Sequence, residues 1–469
     1  MNAKSKKPSW YSSNLRWYVV LAVLPAMMAI VAVLFYGYRE WDAAQSLRAQ
    51  KTQWSQSGVP YNNVSLKDWY TKRTHSEGTD DWQRILQLCH WGQGASGIER
   101  LPYLGSEGDY PISLVPGGDW PEEPLVASFL KEMEPVLDSI EKASVHPTPV
   151  RFPMMFDGVG TLLPYLQESR TVMRLLSLDF DYAYYHQDTK RALRDLDLML
   201  ATIQAFDSRE TLVSELINIA LRGMRTGAIR RSLTNSIWTD DELATLRKSI
   251  EIPEPHGERW KDVMIGERAI GLSAIESLRG NASEDSNLYQ GSGSVGMLFP
   301  LTPSGEQIFL DYYERAISVP NSDLNTWQAA AAGAEQSIDA ARSSSATVWL
   351  GMLVPAVQPA VSAEIRMEVD RRWTQTAIVL RQYKSQKGEW PSRLRDLESL
   401  GLSLADYSTV HGEVFGYEVV GKTAYLWTAD PAKWHVKQNI SPTRPSKADY
   451  AESVQDSDDH LAGYVLELK

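Results

Sequence analysis

The sequence predicts a mainly α-helical protein with an N-terminal transmembrane helix and a small α+β module at its C-terminal end. Three patterns lead to this fold class. Residues 17–38 form a charge-free run of about twenty residues, enough at a helical rise to cross a bilayer core of roughly 30 Å. The middle of the chain repeats apolar residues every three or four positions. Residues 415–428 alternate apolar and polar side chains around a Gly-Lys pair, which is typical of a β-hairpin.

The residues around the charge-free run predict its orientation in a membrane. Aromatic side chains, which favour the headgroup layer, stand at both of its ends. They are Trp17, Tyr18, Phe35, Tyr36 and Tyr38. The charges before the run are all basic, at Lys4, Lys6, Lys7 and Arg16. Because a mixed set of charges follows the run, the positive-inside rule predicts a cytoplasmic N-terminus and a periplasmic or extracytoplasmic remainder.

A cleaved signal peptide is the alternative interpretation of the same run. Its apolar part would be shorter and would end in small residues at the cleavage site. Residues 35–41 are instead bulky and aromatic. We therefore predict an uncleaved, single-pass anchor in the inner (cytoplasmic) membrane. Pro25 is compatible with this helix because membrane helices tolerate proline.

Composition narrows the classes of partner. The net charge of −12 argues against nucleic acid, because phosphate binding needs clustered Lys and Arg. The single cysteine, Cys89, excludes an internal disulfide, so packing must hold an exported domain together. The 16 tryptophans are either core anchors or stacking platforms for a sugar or peptide ligand.

The patterns divide the chain into five parts. These are a cytoplasmic tail (1–16), the anchor (17–38), a stalk with an irregular Trp/Gly/Pro-rich region (39–121), a helical domain (122–387) and the α+β module (388–469). The anchor helix should continue to about residue 51 as a polar stalk. A further helix is predicted over 80–91, with Cys89 as a small core residue on its apolar face.

The helical domain contains a series of amphipathic helices in the order of the chain. They are predicted over 124–143, 162–184, 193–203, 212–229, from 239 onwards, 258–279, 304–318, 324–343 and 359–387. Thr239 with Glu242 and Ser304 with Gln307 have capping-box spacing, and Gly388 should end the last helix. Short loops imply antiparallel neighbours, so we predict a helical bundle or a short helical-pair solenoid.

The apolar stretch at 348–361 is too short and too rich in proline to span a membrane, and we interpret it as a buried helix end or turn, with a membrane-surface segment as the alternative. The module after Gly388 should contain a hairpin turning at Gly421-Lys422 and a third strand at 463–468. We expect it to pack against the end of the long helix.

Several motifs suggest chemistry, but their contexts do not support it. A dinucleotide site requires a strand before its GxGxxG motif and a helix after it. The match at 92–97 follows a predicted helix, and the match at 291–296 is followed by MLFPLTP, which cannot open a helix. His256-Gly-Glu258 and His411-Gly-Glu413 lack a second His one helical turn away, so we interpret both as solvated loops rather than zinc sites.

The acidic group Asp456, Asp458 and Asp459 is either a calcium ligand set or a solvated acidic loop. It lacks the twelve-residue loop with a central Gly and a terminal Glu, which favours the acidic loop. The sequence therefore predicts no catalytic, cofactor-binding or metal-binding residue.

Two segments carry a family resemblance. The first comprises Leu162-Leu-Pro-Tyr165, Tyr184-Tyr-His-Gln-Asp188, Ala192-Leu193 and Arg209-Glu-Thr-Leu-Val213. The second comprises Leu380-Arg-Gln-Tyr383, Gly388-Glu-Trp-Pro391 and Leu394. Together they resemble uncharacterised single-anchor envelope proteins of planctomycete-type bacteria. The second segment alone is similar to the region after the long helix of type II secretion pseudopilins. The resemblance implies a local structure and no established activity.

Three functions are consistent with these observations. The first is a membrane-tethered binding or scaffold module for another envelope component, either a protein or a cell-wall polymer. The second is a hydrolase of cell-wall glycan or peptide that uses Asp and Glu in a Trp-lined cleft. The third is a subunit of a secretion or pilus-like assembly.

Overall fold

The structure is a computed structural model and confirms the predicted fold class. It describes residues 10–89, 98–105, 114–158, 160–161, 163, 165–235, 237–250, 256–279, 302–321, 323–342, 350–428, 440, 444 and 465–469. Within these residues the protein is mainly helical, with one apolar N-terminal helix and a small antiparallel sheet near the C-terminal end.

The helices and strands follow one another in a simple order. The first seven helices are α1 (Trp10–Ser57), α2 (Asn63–Arg73), α3 (Thr79–Leu88), α4 (Glu123–Ala143), α5 (Tyr165–Tyr185), α6 (Thr189–Ala205) and α7 (Leu212–Ser232). The next are α8 (Asp240–Ser249), α9 (His256–Leu278), α10 (Pro303–Ser318), α11 (Trp327–Arg342), α12 (Leu350–Leu353) and α13 (Val357–Lys387). The strands are β1 (Gly416–Val420), β2 (Thr423–Trp427) and β3 (Val465–Leu468).

Two of the predicted helix ends are confirmed by their capping geometry. The Thr239 hydroxyl accepts the backbone N–H of Glu242, and the Glu242 carboxylate accepts the N–H of Thr239 at 2.8 Å. Gly388 ends α13 with a left-handed φ of 79°, and its N–H donates to the Lys384 carbonyl. Glycine adopts this conformation without the steric cost that other residues meet.

The predicted capping box at Ser304 is wrong. The N-cap of α10 is Thr302, whose hydroxyl accepts the N–H of Gly305 at 3.1 Å. The N–H of Ser304 donates to the Glu40 carboxylate of α1 at 2.9 Å, and the Gln307 side chain instead donates to Asp311. A carboxylate from a distant helix therefore takes the place that the local sequence pattern assigned to Gln307.

Helix α2 lies in the region that we predicted to be irregular. Asn62 caps it, because its side-chain oxygen accepts the N–H of Ser65 at 2.8 Å. Only Leu66 and Tyr70 of this helix are buried, one turn apart. Two apolar contacts give too weak a periodicity for a sequence-based prediction.

Helices α9 and α10 are antiparallel neighbours. Arg279, just after α9, pairs with Glu306 at the start of α10 at 2.5 Å. The Trp260 indole near the start of α9 donates to the Ala316 carbonyl near the end of α10 at 2.7 Å. Midway, Gly271 lies so close to the Phe309 ring that a Cβ atom there would collide with it. The loop connection of the two helices is outside the described residues.

The C-terminal module packs on the end of α13, as predicted. The hairpin turns at Gly421 and Lys422, and β2 pairs on its other side with β3. The Trp390 indole donates to the Lys422 carbonyl at 2.7 Å, and the Tyr417 hydroxyl donates to the Pro391 carbonyl at 2.9 Å. These two bonds attach the hairpin to the residues that follow α13.

Helix α1 is long and apolar enough to cross a membrane. The large apolar side chains between Val23 and Tyr38 are 48–70% exposed, so no described part of the protein covers them. The helix then continues to Ser57, somewhat beyond the predicted stalk. This second half packs onto the domain, because Leu47 is buried and Lys51 pairs with Glu276 and Glu306 at 2.9 Å each. It is therefore part of the domain and not a free stalk.

The first prediction concerns this attachment. Replacing Lys51 with Met should lower the free energy of unfolding by about 1–3 kcal/mol, because the almost fully buried Glu306 loses one of its two cations. Arg48→Met removes the same charge from an exposed position of the same helix and should change stability by less than about 0.5 kcal/mol. Urea denaturation in detergent measures both, and equal effects would contradict the role of Lys51.

Candidate functional site

A small cleft lies where the beginnings of α7 and α9 face α13, and its free volume of about 10 Å³ is roughly the space of one water molecule. It combines apolar walls with charged groups. The apolar lining is Leu212, Leu216, Ile219, Trp260 and Ala360, and the charged lining is Glu215, His256, Arg259 and Glu364. It brings together ionisable groups from three helices, and we take it as the candidate functional site.

Helical periodicity places these side chains on facing surfaces. Thr211 begins α7 with a capping box, in which its hydroxyl accepts the N–H of Ser214 at 3.0 Å. The lining residues of α7 then recur at spacings of three and four, which brings them to one helix face. The lining residues of α9 and of α13 follow the same rule. The sequence therefore fixes each face locally, while the packing of the three helices creates the cleft.

Arg259 holds the charged side of the cleft together. Its guanidinium donates to Glu215 at 2.8 Å, to Asp207 at 2.7 Å and to the side-chain amide oxygen of Asn218 at 3.1 Å. Arg222 donates to the other oxygen of Glu215 at 2.6 Å. Buried charges need such partners, because a buried charge without one would lower the free energy of unfolding by several kcal/mol.

His256 links α9 to two carboxylates of α13. Its Nδ1 is hydrogen-bonded to Glu364, and its Nε2 lies 3.4 Å from Glu368. The interpretation of residues 256–258 as a solvated loop is therefore wrong, because His256 begins a helix and is largely buried. Its partners lie more than a hundred positions away in the chain, so no local pattern could reveal them.

The charges around His256 decide its protonation. Burial opposes the charged imidazole, but the hydrogen bonds and negative charges of Glu364 and Glu368 raise the pKa of His256 to about 9. Burial likewise opposes ionisation of Glu368, yet Arg371 and His256 hold the pKa of that carboxyl well below its usual range. At neutral pH the group is thus an imidazolium between two carboxylates. A protonated imidazole has no free lone pair, so it cannot accept a proton as a general base.

The other residues singled out by the sequence do not join this cleft. His411 and Glu413 lie in the turn before β1, where Glu413 is hydrogen-bonded to Thr409. Cys89 is a buried core residue, as predicted, and burial raises the pKa of its thiol to about 12. The two GxGxxG matches and the group Asp456, Asp458 and Asp459 lie outside the described residues.

The tryptophans of the described chain act mainly as core anchors. Trp260 forms part of the cleft wall, but it is buried and its indole N–H is already bonded to Ala316. The others that are buried are Trp82, Trp120, Trp238, Trp327, Trp373, Trp390 and Trp427. Among the residues that the structure describes, no three His, Cys, Asp or Glu side chains are arranged to hold a metal ion.

Sequence reasoning missed the acidic side of this site. Glu364 and Glu368 are one turn apart on a helix that is buried along most of its length, next to the inward row that contains Ile365 and Val369. Charged residues spaced by four beside an apolar row are a usable signal of a buried ion pair. Without knowledge of the partners, the same pattern also fits an exposed helix edge.

No protein family, no curated protein and no solved structure matches this chain. The resemblance to single-anchor envelope proteins therefore stays a prediction, and the site is interpreted from its own geometry.

The second prediction concerns the pH dependence of stability. The pKa of His256 is about 9 in the folded protein, whereas an unperturbed histidine side chain has a pKa of about 6.5. The contribution of His256 to stability is therefore complete below pH 6.5 and is lost as the pH rises through 9. We expect His256→Gln to cost on the order of 2–3 kcal/mol at about pH 6 and close to nothing at about pH 10. Urea denaturation across this range measures the difference.

His146→Gln is the matched control for this experiment. His146 lies 2.9 Å from Asp81, and these side chains are 28% and 52% exposed, against 18% for His256 and 5–6% for its two carboxylates. An exposed pair contributes about 0–1 kcal/mol. A loss at His256 that is equally small, or that grows with rising pH, would contradict the assignment of an imidazolium between two carboxylates.

Proposed function

We propose that this protein is a membrane-tethered binding or scaffold module of the cell envelope. In this proposal α1 anchors the chain in the inner membrane, with the short N-terminus in the cytoplasm and the helical domain on the periplasmic or extracytoplasmic side. The long exposed apolar surface of α1 supports the anchor, and the basic residues that precede it support the orientation.

The character of the cleft between α7, α9 and α13 is the observation that carries the binding role. Its ionisable groups are bonded to one another, so they hold the walls of the cleft in place. The open surface of the cleft is apolar, Leu216 of its lining is exposed, and the exposed Val213 follows Leu212 on α7. A partner gains free energy by burying apolar groups there, at about 25 cal/mol per Å².

The cleft lies at the end of the domain opposite to the attachment of α1. Lys51 contacts Glu276 near the end of α9, whereas His256 is its first residue. The intervening part of the helix is about 30 Å long at the usual rise of 1.5 Å per residue. An anchored domain would therefore present the cleft away from its attachment point, where another envelope component can reach it.

The described residues offer no specific observation in favour of the two alternatives. A glycan or peptide hydrolase would need an exposed tryptophan beside free carboxylates, and Trp260 is buried. The assembly subunit depends on the segment after Gly388, which packs against the core through Leu394 and Leu397. Both alternatives therefore stand on the sequence alone.

The third prediction tests the cleft as a binding surface. A photo-crosslinking amino acid at Val213 or Leu216 should give a specific, stoichiometric adduct with an envelope protein when the full-length protein is illuminated in its own membranes. Val145 and Met155 are exposed apolar residues outside the cleft and provide the matched control positions. Adducts of equal yield at all four positions, or adducts with wall polymer only, would overturn a protein-binding cleft.

A further inference from the structure

The junction of α1 and α10 lies directly beyond the apolar run. Glu40 is two positions after Tyr38, and its carboxylate accepts the N–H of Ser304 at 2.9 Å and the Ser304 hydroxyl at 2.5 Å. Arg39 donates to the same hydroxyl at 3.1 Å. These bonds hold the first turn of α10 beside the point where the apolar surface ends.

Helix geometry places this junction at the depth of the lipid headgroups. The apolar run is about as long as a bilayer core, roughly 30 Å, and the headgroup regions add about 5–8 Å on each side. Glu40 is only about 3 Å beyond Tyr38 along the helix axis. If the run spans the core, the first turn of α10 cannot stand clear of the headgroup layer.

The side chains around the junction suit that layer. Tyr36, Tyr38 and Trp41 are 51%, 64% and 58% exposed, and Arg39 is exposed beside them. Tyrosine and tryptophan favour the membrane interface because they combine an apolar ring with a polar atom, and arginine pairs with phosphate. Nothing in the described residues covers this collar of three aromatic rings and one cation.

We propose that the collar and the first turn of α10 form a membrane-docking surface for the phospholipid headgroup layer. The helical domain then sits directly on the bilayer, with no free stalk between them. This inference rests on the proposed function, because it requires α1 to span the membrane. If the domain docks in this way, each of its parts lies at a fixed distance from the bilayer surface.

Positions along α10 allow that distance to be measured. It starts beside Glu40, and its other end adjoins the beginning of α9, where Pro320 lies against Gly257. Pro303 and Ser318 are separated by about 22 Å along the helix, with the exposed Asp311 between them. Helix α9 runs between the Lys51 contact and the cleft, and α10 is antiparallel to it. Helix α10 should therefore extend away from the bilayer from its first residue to its last.

The fourth prediction uses nitroxide labels at three positions along α10. Single cysteines at Pro303, Asp311 and Ser318 are labelled in the full-length protein, reconstituted into phosphatidylcholine vesicles that carry a nickel-chelating lipid headgroup. Native Cys89 should not compete, because it is buried and its thiol has a raised pKa. We expect the nickel-induced relaxation to fall several-fold from position 303 to position 318, with 311 between them.

A matched pair of variants tests the attachment itself. Glu40→Ala removes the carboxylate that holds Ser304 and should reduce the gradient, whereas Asp42→Ala removes the same charge from an exposed position and should leave it intact. Equal, weak relaxation at all three labels in a vesicle-integrated protein would overturn the docking surface.

Extraction of the vesicles at alkaline pH separates the two proposals. Protein that is released from the lipid refutes the membrane anchor and with it the proposed function. Protein that stays integrated but shows no gradient refutes only the docking. Position 311 lies within the helix and away from its cap, so it remains informative if Pro303→Cys impairs folding.

Discussion

The buried carboxylate of Glu306 attaches the long apolar N-terminal helix α1 to the domain. It is 1% exposed, and its charge is balanced by Arg279 from the end of α9 and by Lys51 from α1. A buried carboxylate that loses a cation is costly, so α1 cannot leave the domain without a large loss of free energy. Glu40 adds a second attachment at the start of α10. Together these contacts make α1 both the candidate anchor and a structural member of the domain.

Buried ion pairs also join helices at the beginning of α9. There His256 and Arg259 join carboxylates from α7 and α13, so that each buried charge has a partner on another helix. Such networks require a defined register between helices, because a shift of one turn would separate the partners. Helix α9 thus connects the attachment of α1 with the cleft. Buried ion pairs fix its position at both of its ends. This rigidity suits a module that holds a partner at a set position.

The sequence predicted what depends on local pattern and missed what depends on distant partners. Apolar periodicity identified the long helices, the Thr239 capping box and Gly388 identified two helix ends, and alternation identified the hairpin. The start of α10 and the role of His256 were missed, because Glu40 and Glu364 reach them from far along the chain. The local pattern around Glu364 can indicate a buried charge but not its partner on another helix, so the cleft could not be assembled before the packing was known.

Residues 40–57 of α1 belong to the folded domain in this structure. Hydrogen exchange of the full-length protein in detergent, followed by mass spectrometry, measures this for each part of the helix. We expect the amides of this segment to be protected to the same degree as those of α9 and α10, because they open only with the domain. Exchange as fast as that of an isolated, solvated helix, with α9 and α10 still protected, would contradict the claim and would restore the free stalk.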